Sequence, residues 1–223
     1  MTQLVAASIA FLATHFVAST PLRAKLVAAL GKAYIVFYTI VAIVTLGWMI
    51  WAFRHAPFFN LWFSIPLQRV PQVVMPFALV FVVCALSTRN PTMVGQEHLL
   101  KARQPARGIL RITRHPLMWG IALWAASHIV ARGEVAATIF FGTFLTLALA
   151  GPVRIDHRRA AALGDDWGHF AAVTSNLQFA AIAGGRNRFV LSEIGWWKIL
   201  IGVALYFVLL HLHPILFGVR PLI

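Results

Sequence analysis

Three histidines fall within or near the ends of long apolar runs: His15, His128 and His211. Hydrocarbon offers an imidazole no water, so each needs a neighbouring helix, a metal ion or a haem iron as its partner. For any one of them a bond to a neighbouring helix is the plainer account. Several in one small bundle raise the case for a shared centre, because paired histidines from different helices commonly hold haem or metal in a bundle core. The depths differ. His15 stands six residues before Pro21, ~9 Å from that helix end, whereas His128 stands twelve after Pro116, ~18 Å in. His211 lies closer to His128 in depth and is a rival ligand. Trp124 is one turn before His128, placed to pack on a porphyrin or simply on a neighbour.

Basic residues crowd one edge of these runs. His15, Ser19 and Arg23 follow at i, i+4 and i+8 and share a face if the helix runs on past Pro21, which would put Arg23 at the inner interface, where it can meet a carboxylate such as a haem propionate. In Arg111-Ile112-Thr113-Arg114-His115-Pro116, the proline suits the first position of a helix. The cap does not account for two arginines and a histidine beside it. Arg114 and His115 are therefore candidate ligands of propionates, lipid headgroups or a phosphate-bearing cofactor. No acidic residue lies inside an apolar run, Glu134 standing only at the edge of one, so no buried carboxylate relay is visible. No GxSxG, P-loop, HExxH or GxGxxG pattern occurs.

These residues need elements to hold them. Of 223 residues, 60% are hydrophobic and only 11% charged, far from the balance of a water-soluble domain. Six stretches approach the ~20 residues that span a bilayer: roughly 3–20, 33–53, 71–88, 116–131, 134–152 and 196–213. The expected fold is an all-α polytopic membrane bundle of about six helices, one domain over 1–223. A first run without preceding Lys or Arg reads as a retained span rather than a secretion signal. The one cysteine, Cys84, sits in an apolar run and excludes an internal disulfide or a cysteine zinc site.

Net charge is +13, yet no RNA- or DNA-binding pattern accompanies it, and nucleic acid is not an expected partner. The basic residues lie between apolar runs. With the amino terminus outside, 15 of the 19 fall on the inside and four outside, the bias that orients membrane proteins. Both termini are then outside. Leu22 to Lys32 reads as a short interfacial helix. Ile109-Leu110-Arg111-Ile112 reads as a segment along the membrane surface, and Asp156 to Val173 as a further helix.

Three blocks in order resemble the NnrU family of bacterial membrane proteins. They are His15 with Pro21-Leu22-Arg23, then Gly108 to Pro116 with Trp119-Gly120, Trp124 and His128, then Asp156, Arg158-Arg159, Leu163-Gly164, Trp167, Phe170 and Thr174-Ser175. The resemblance implies the bacterial inner membrane and an association with nitrite and nitric oxide respiration. The family is in turn similar to the haem b-dependent ζ-carotene isomerase of plants and cyanobacteria. That similarity implies haem b, with His15 and His128 as axial ligands, and a redox-linked or isomerase-like role on a lipophilic small molecule. The isomerases carry a cysteine where this chain has Ala125, and Gln178 stands where proline is expected. A weaker resemblance, through Arg-His-Pro and the later Leu-Gly, Trp and Phe, is to membrane methyltransferases that use S-adenosylmethionine; Asp156 alone answers to their acidic pair. A non-enzymatic accessory protein of a respiratory complex is the third reading. Membrane lipid is the one partner common to all three.

Overall fold

The computed structural model describes residues 1–221, and those residues form helices without a β-strand. In chain order the helices are α1 (Thr2–Val17), α2 (Pro21–Leu30), α3 (Ala33–Arg54), α4 (Ile65–Gln68), α5 (Val70–Ser87), α6 (Ile109–Ile112), α7 (Pro116–Arg132), α8 (Val135–Ala172), α9 (Ala180–Ala183), α10 (Leu191–Ile194) and α11 (Trp196–Phe217). Apolar composition makes the long ones; proline and glycine punctuate them. Pro21 and Pro116 occupy the first helical turn, where a missing N–H costs nothing. Gly133 ends α7 in the left-handed conformation, φ 60°.

Four helices are long and apolar enough to cross a membrane: α3, the continuous α4–α5 segment Ile65–Ser87, α8 and α11. The α1–α2 pair would make a fifth, bent by 78°. All six expected stretches are helical, but length separates them. The 17 residues of α7 reach ~25 Å, short of a ~30 Å hydrocarbon core. The bend lays α2 across the end of α1, and none of its side chains is buried, in agreement with an interfacial helix. The unbroken part of α8, from Val135 to the residue before Gly164, reaches ~44 Å, longer than a ~30 Å hydrocarbon core, so its later turns project beyond that core. The expected helix after Asp156 is this projection, broken at Gly164 (φ 51°).

Packing runs as an arc: α3 on α1, α1 on α8, α8 on α7, α7 on α5 and α5 on α11. Small residues permit the close approaches. A Cβ on Gly120 would stand 2.9 Å from the Ala78 carbonyl oxygen, and one on Gly202 2.8 Å from the Val80 Cα. The outward faces of α3 and α11 remain apolar and exposed, including Ile40, Ile43, Val44, Phe207 and Val208. Water would penalise such a surface and lipid does not.

Loop contacts show which ends lie together. At one end, the 55–64 segment straps the α7–α8 turn: Leu61 N–H donates to the Gly133 carbonyl, Val135 N–H to that of Phe59, and the Trp62 indole to that of Val130. Gln72 there donates to the Pro221 carbonyl, and Trp48 to Gln3. The described beginning and end of the chain thus share a face with Arg132; Leu222 and Ile223 lie outside the described residues. At the other end, segments 88–115 and 173–195 fold over the bundle together, as the charge bias requires. One local expectation is corrected here. Ile109, Leu110 and Ile112 are buried against Cys84 and Ile194, because α6 turns its apolar side chains into the bundle end instead of lying on the membrane surface.

Candidate functional site

His15 and His128 are held in the same way. The Nδ1–H of His15 donates to the Phe11 carbonyl at 2.8 Å, and that of His128 to the Trp124 carbonyl at 2.8 Å, one turn back in each case. A carbonyl only accepts, so Nδ1 carries a proton, and in the neutral ring the lone pair is then on Nε2. That tautomer is the one an iron or zinc ligand needs. His55 makes the same bond to Trp51 at an exposed position, so the bond fixes a state without marking a site.

The two rings are separated by aromatic side chains. His15 packs on Phe11 (4.1 Å between centroids) and faces Tyr38 edge-on. Phe11 meets Phe144 at 5.4 Å, Phe144 meets Trp124 at 5.1 Å, and Trp124 lies 5.9 Å from His128. Phe141 closes the other side of His128 at 5.0 Å. The residues suit a porphyrin in kind: flat apolar walls with an imidazole toward each end. The space between is filled by Phe11, Phe144 and Trp124, so a porphyrin needs those rings to turn aside. Ala125 is fully buried in this cluster. His211 is exposed on α11, which packs against α5. Among the described residues no three His, Cys, Asp or Glu side chains converge as a metal site.

Arg114 and His115 have a protein partner. Arg114 donates from Nε and Nη2 to Asp156 Oδ2 at 2.9 and 2.6 Å, and His115 Nε2 lies 2.7 Å from Oδ1. Both carboxylate oxygens are used, and His115 is buried. The expected free anion site at the mouth of α7 is therefore already neutralised from within the chain. Next to it, Arg111 grips Glu193 through a two-pronged bond of 2.8 and 2.9 Å, while Glu193 also accepts from the Gly108 N–H. The Arg111 fork holds the Glu193 carboxyl far below its ordinary value, at about 2. Thr113 and Trp119 both donate to the Asn176 carbonyl, at 2.6 and 2.8 Å, and Arg114 N–H donates to that of Ser175. Arg159 pairs with Glu97. Two of the three sequence blocks, 108–128 and 156–175, are thus the two halves of one polar seam.

Asp156, Glu193 and Asn176 were missed as partners in the sequence. A signal existed: with six acids against nineteen bases, most carboxylates near the bundle end must meet an arginine. Spacing could not say which one. Arg23 lies elsewhere, over the Tyr34 ring at 5.7 Å, where it lines an open cleft with Arg154, His157 and Arg158.

Comparison with known proteins gives two findings. The NnrU protein family matches residues 3–221. The chain is 40% identical over 81 residues to "15-cis-zeta-carotene isomerase, chloroplastic" of Arabidopsis thaliana, covering 36% of this chain and 22% of that protein. It is 33% identical over 102 residues to the protein of the same name in Zea mays, covering 46% and 28%. The match thus spans about a quarter of these relatives' length. No solved structure matches.

Proposed function

This chain belongs to the NnrU protein family, and on that premise we propose an inner-membrane protein with an isomerase-like role toward a lipophilic substrate, using haem b held by His15 and His128. The observation that supports the reading is the common setting of the two imidazoles: each is tied through Nδ1 to a carbonyl one turn back on its own helix and packs against the aromatic side chains between them. Similarity to two ζ-carotene isomerases supports the substrate class. A bound haem iron supplies reversible one-electron chemistry. The chain's own part is to orient the ligating rings and exclude water, through Phe11, Tyr38, Trp124, Phe141 and Phe144.

The test is titration of the detergent-purified protein with haemin, followed by absorption. A saturable Soret band is expected, altered in both His15→Ala and His128→Ala. No band, or two variants with the wild-type spectrum, rejects the reading.

A further inference from the structure

The chain turns sharply where α1 gives way to α2, and the elbow faces the middle of α8. Between them is an open cleft of about 490 Å³, walled by Ala18, Ser19, Thr20, Pro21, Arg23 and Ala24 on one side and by Arg154, His157 and Arg158 on the other. Three guanidinium groups and an imidazole line it, without a carboxylate. None of these arginines takes part in an ion pair among the described residues; the paired ones are Arg111, Arg114, Arg132 and Arg159.

The three arginines are nevertheless held in place. Arg158 donates from Nη1 to the Ala18 carbonyl at 3.0 Å. Arg154 lies over the Phe16 ring at 4.5 Å and Arg23 over Tyr34 at 5.7 Å. Carbonyl and aromatic contacts fix a guanidinium without cancelling its charge. Glu97, Asp156 and Glu193 are engaged by other side chains, and the three arginines that face this one cleft present a preformed site for an anion with several oxygens.

Position selects the anion. The elbow lies where an apolar helix ends and a surface helix begins, bent by 78°. Around it Leu22, Leu149 and Val153 are about half-exposed. A soluble anion gains nothing from apolar flanks, whereas a lipid places its phosphate beside its own acyl chains. We propose that this cleft binds the phosphate of an anionic phospholipid, with Arg23, Arg154 and Arg158 as its ligands and Ser19 and His157 at the rim. The site is independent of haem.

The experiment uses haem-free protein in nanodiscs of phosphatidylcholine mixed with phosphatidylglycerol, with retained lipid read by native mass spectrometry. Wild type should retain phosphatidylglycerol over phosphatidylcholine. One basic residue at a membrane surface contributes about fivefold to such binding, so Arg23→Gln with Arg154→Gln should lose roughly thirtyfold. Neither residue makes a hydrogen bond that the fold needs, and an unchanged melting temperature checks this. Lys101→Gln with Arg103→Gln removes the same charge from the exposed loop and should leave retention near wild type. Equal loss in that control would mean diffuse charge attraction and overturn the proposal. So would equal retention of the two lipids by wild type, or displacement of phosphatidylglycerol by inorganic phosphate at matching concentration, which would make the site one for a soluble anion.

Discussion

The two ends of this bundle are built from different interactions. Of four arginine–carboxylate pairs among the described residues, three tie the end that carries the long loops: Arg111–Glu193, Arg114–Asp156 and Arg159–Glu97, with His115 hydrogen-bonded to Asp156 beside them. The fourth, Arg132–Glu134, sits at the opposite turn. Deeper in the bundle, α1, α3, α7 and α8 meet through rings and small side chains, among them Phe11, Phe53, Phe140, Phe141, Ala125 and Ala137. The contrast follows from the solvent. In hydrocarbon an unpaired polar group is costly, so the interior is set by shape and helix-internal bonds. At the surface, charge pairs can fix one loop arrangement, with geometry as the benefit more than energy. A site for an oily substrate belongs in the first region; a polar clamp belongs in the second.

The strongest way to break this division is at Asp156. Asp156→Ala leaves Arg114 without its partner and His115 buried without one. Loss of one member of such a cluster costs about 3–5 kcal/mol, and the melting temperature in detergent should fall steeply. A variant as stable as wild type would mean that the polar seam does not hold the fold. The apolar region is tested at Gly202, where an added methyl meets the Val80 backbone. Gly202→Ala should cost roughly 1–3 kcal/mol by overpacking, read by the same melt. Gly142→Ala, with open space around it, should cost little.

The smallest effect is in pH. The Glu193 carboxyl is held at about 2 against an ordinary value of 4.5. A depressed carboxylate stabilises the fold above its unfolded value and stops doing so as pH falls through the folded one. Melting temperature should therefore decline as pH drops from 4.5 toward 2, and decline less in Glu193→Gln. Identical profiles would remove Glu193 from the clamp.

Much of the fold was legible because membrane helices announce themselves by apolar length, and loop charge fixes which ends lie together. Pro21 and Pro116 marked helix boundaries correctly. Whether a helix is a full span was less legible: α7 starts at a proline and stops at a glycine only 17 residues later. The interior of α6 was misplaced because an Ile-Leu-Arg-Ile run at a polar boundary fits both a surface helix and a plug. The site was legible in residue type alone. His15 and His128 each bond a carbonyl one turn back, but their separation by Phe11, Phe144 and Trp124 depends on how three helices rotate. Arg114 and His115 looked free because their partner, Asp156, lies 41 residues beyond His115 on another helix.

One paired measurement tests the division most directly: haemin-induced Soret absorbance and melting temperature, recorded together for His15→Ala, His128→Ala and Asp156→Asn. The account predicts that the histidine variants lose or alter the band while melting near wild type, and that Asp156→Asn melts early yet forms the wild-type band below its transition. Histidine variants that keep the band unchanged, or that lose it only by unfolding, would contradict it.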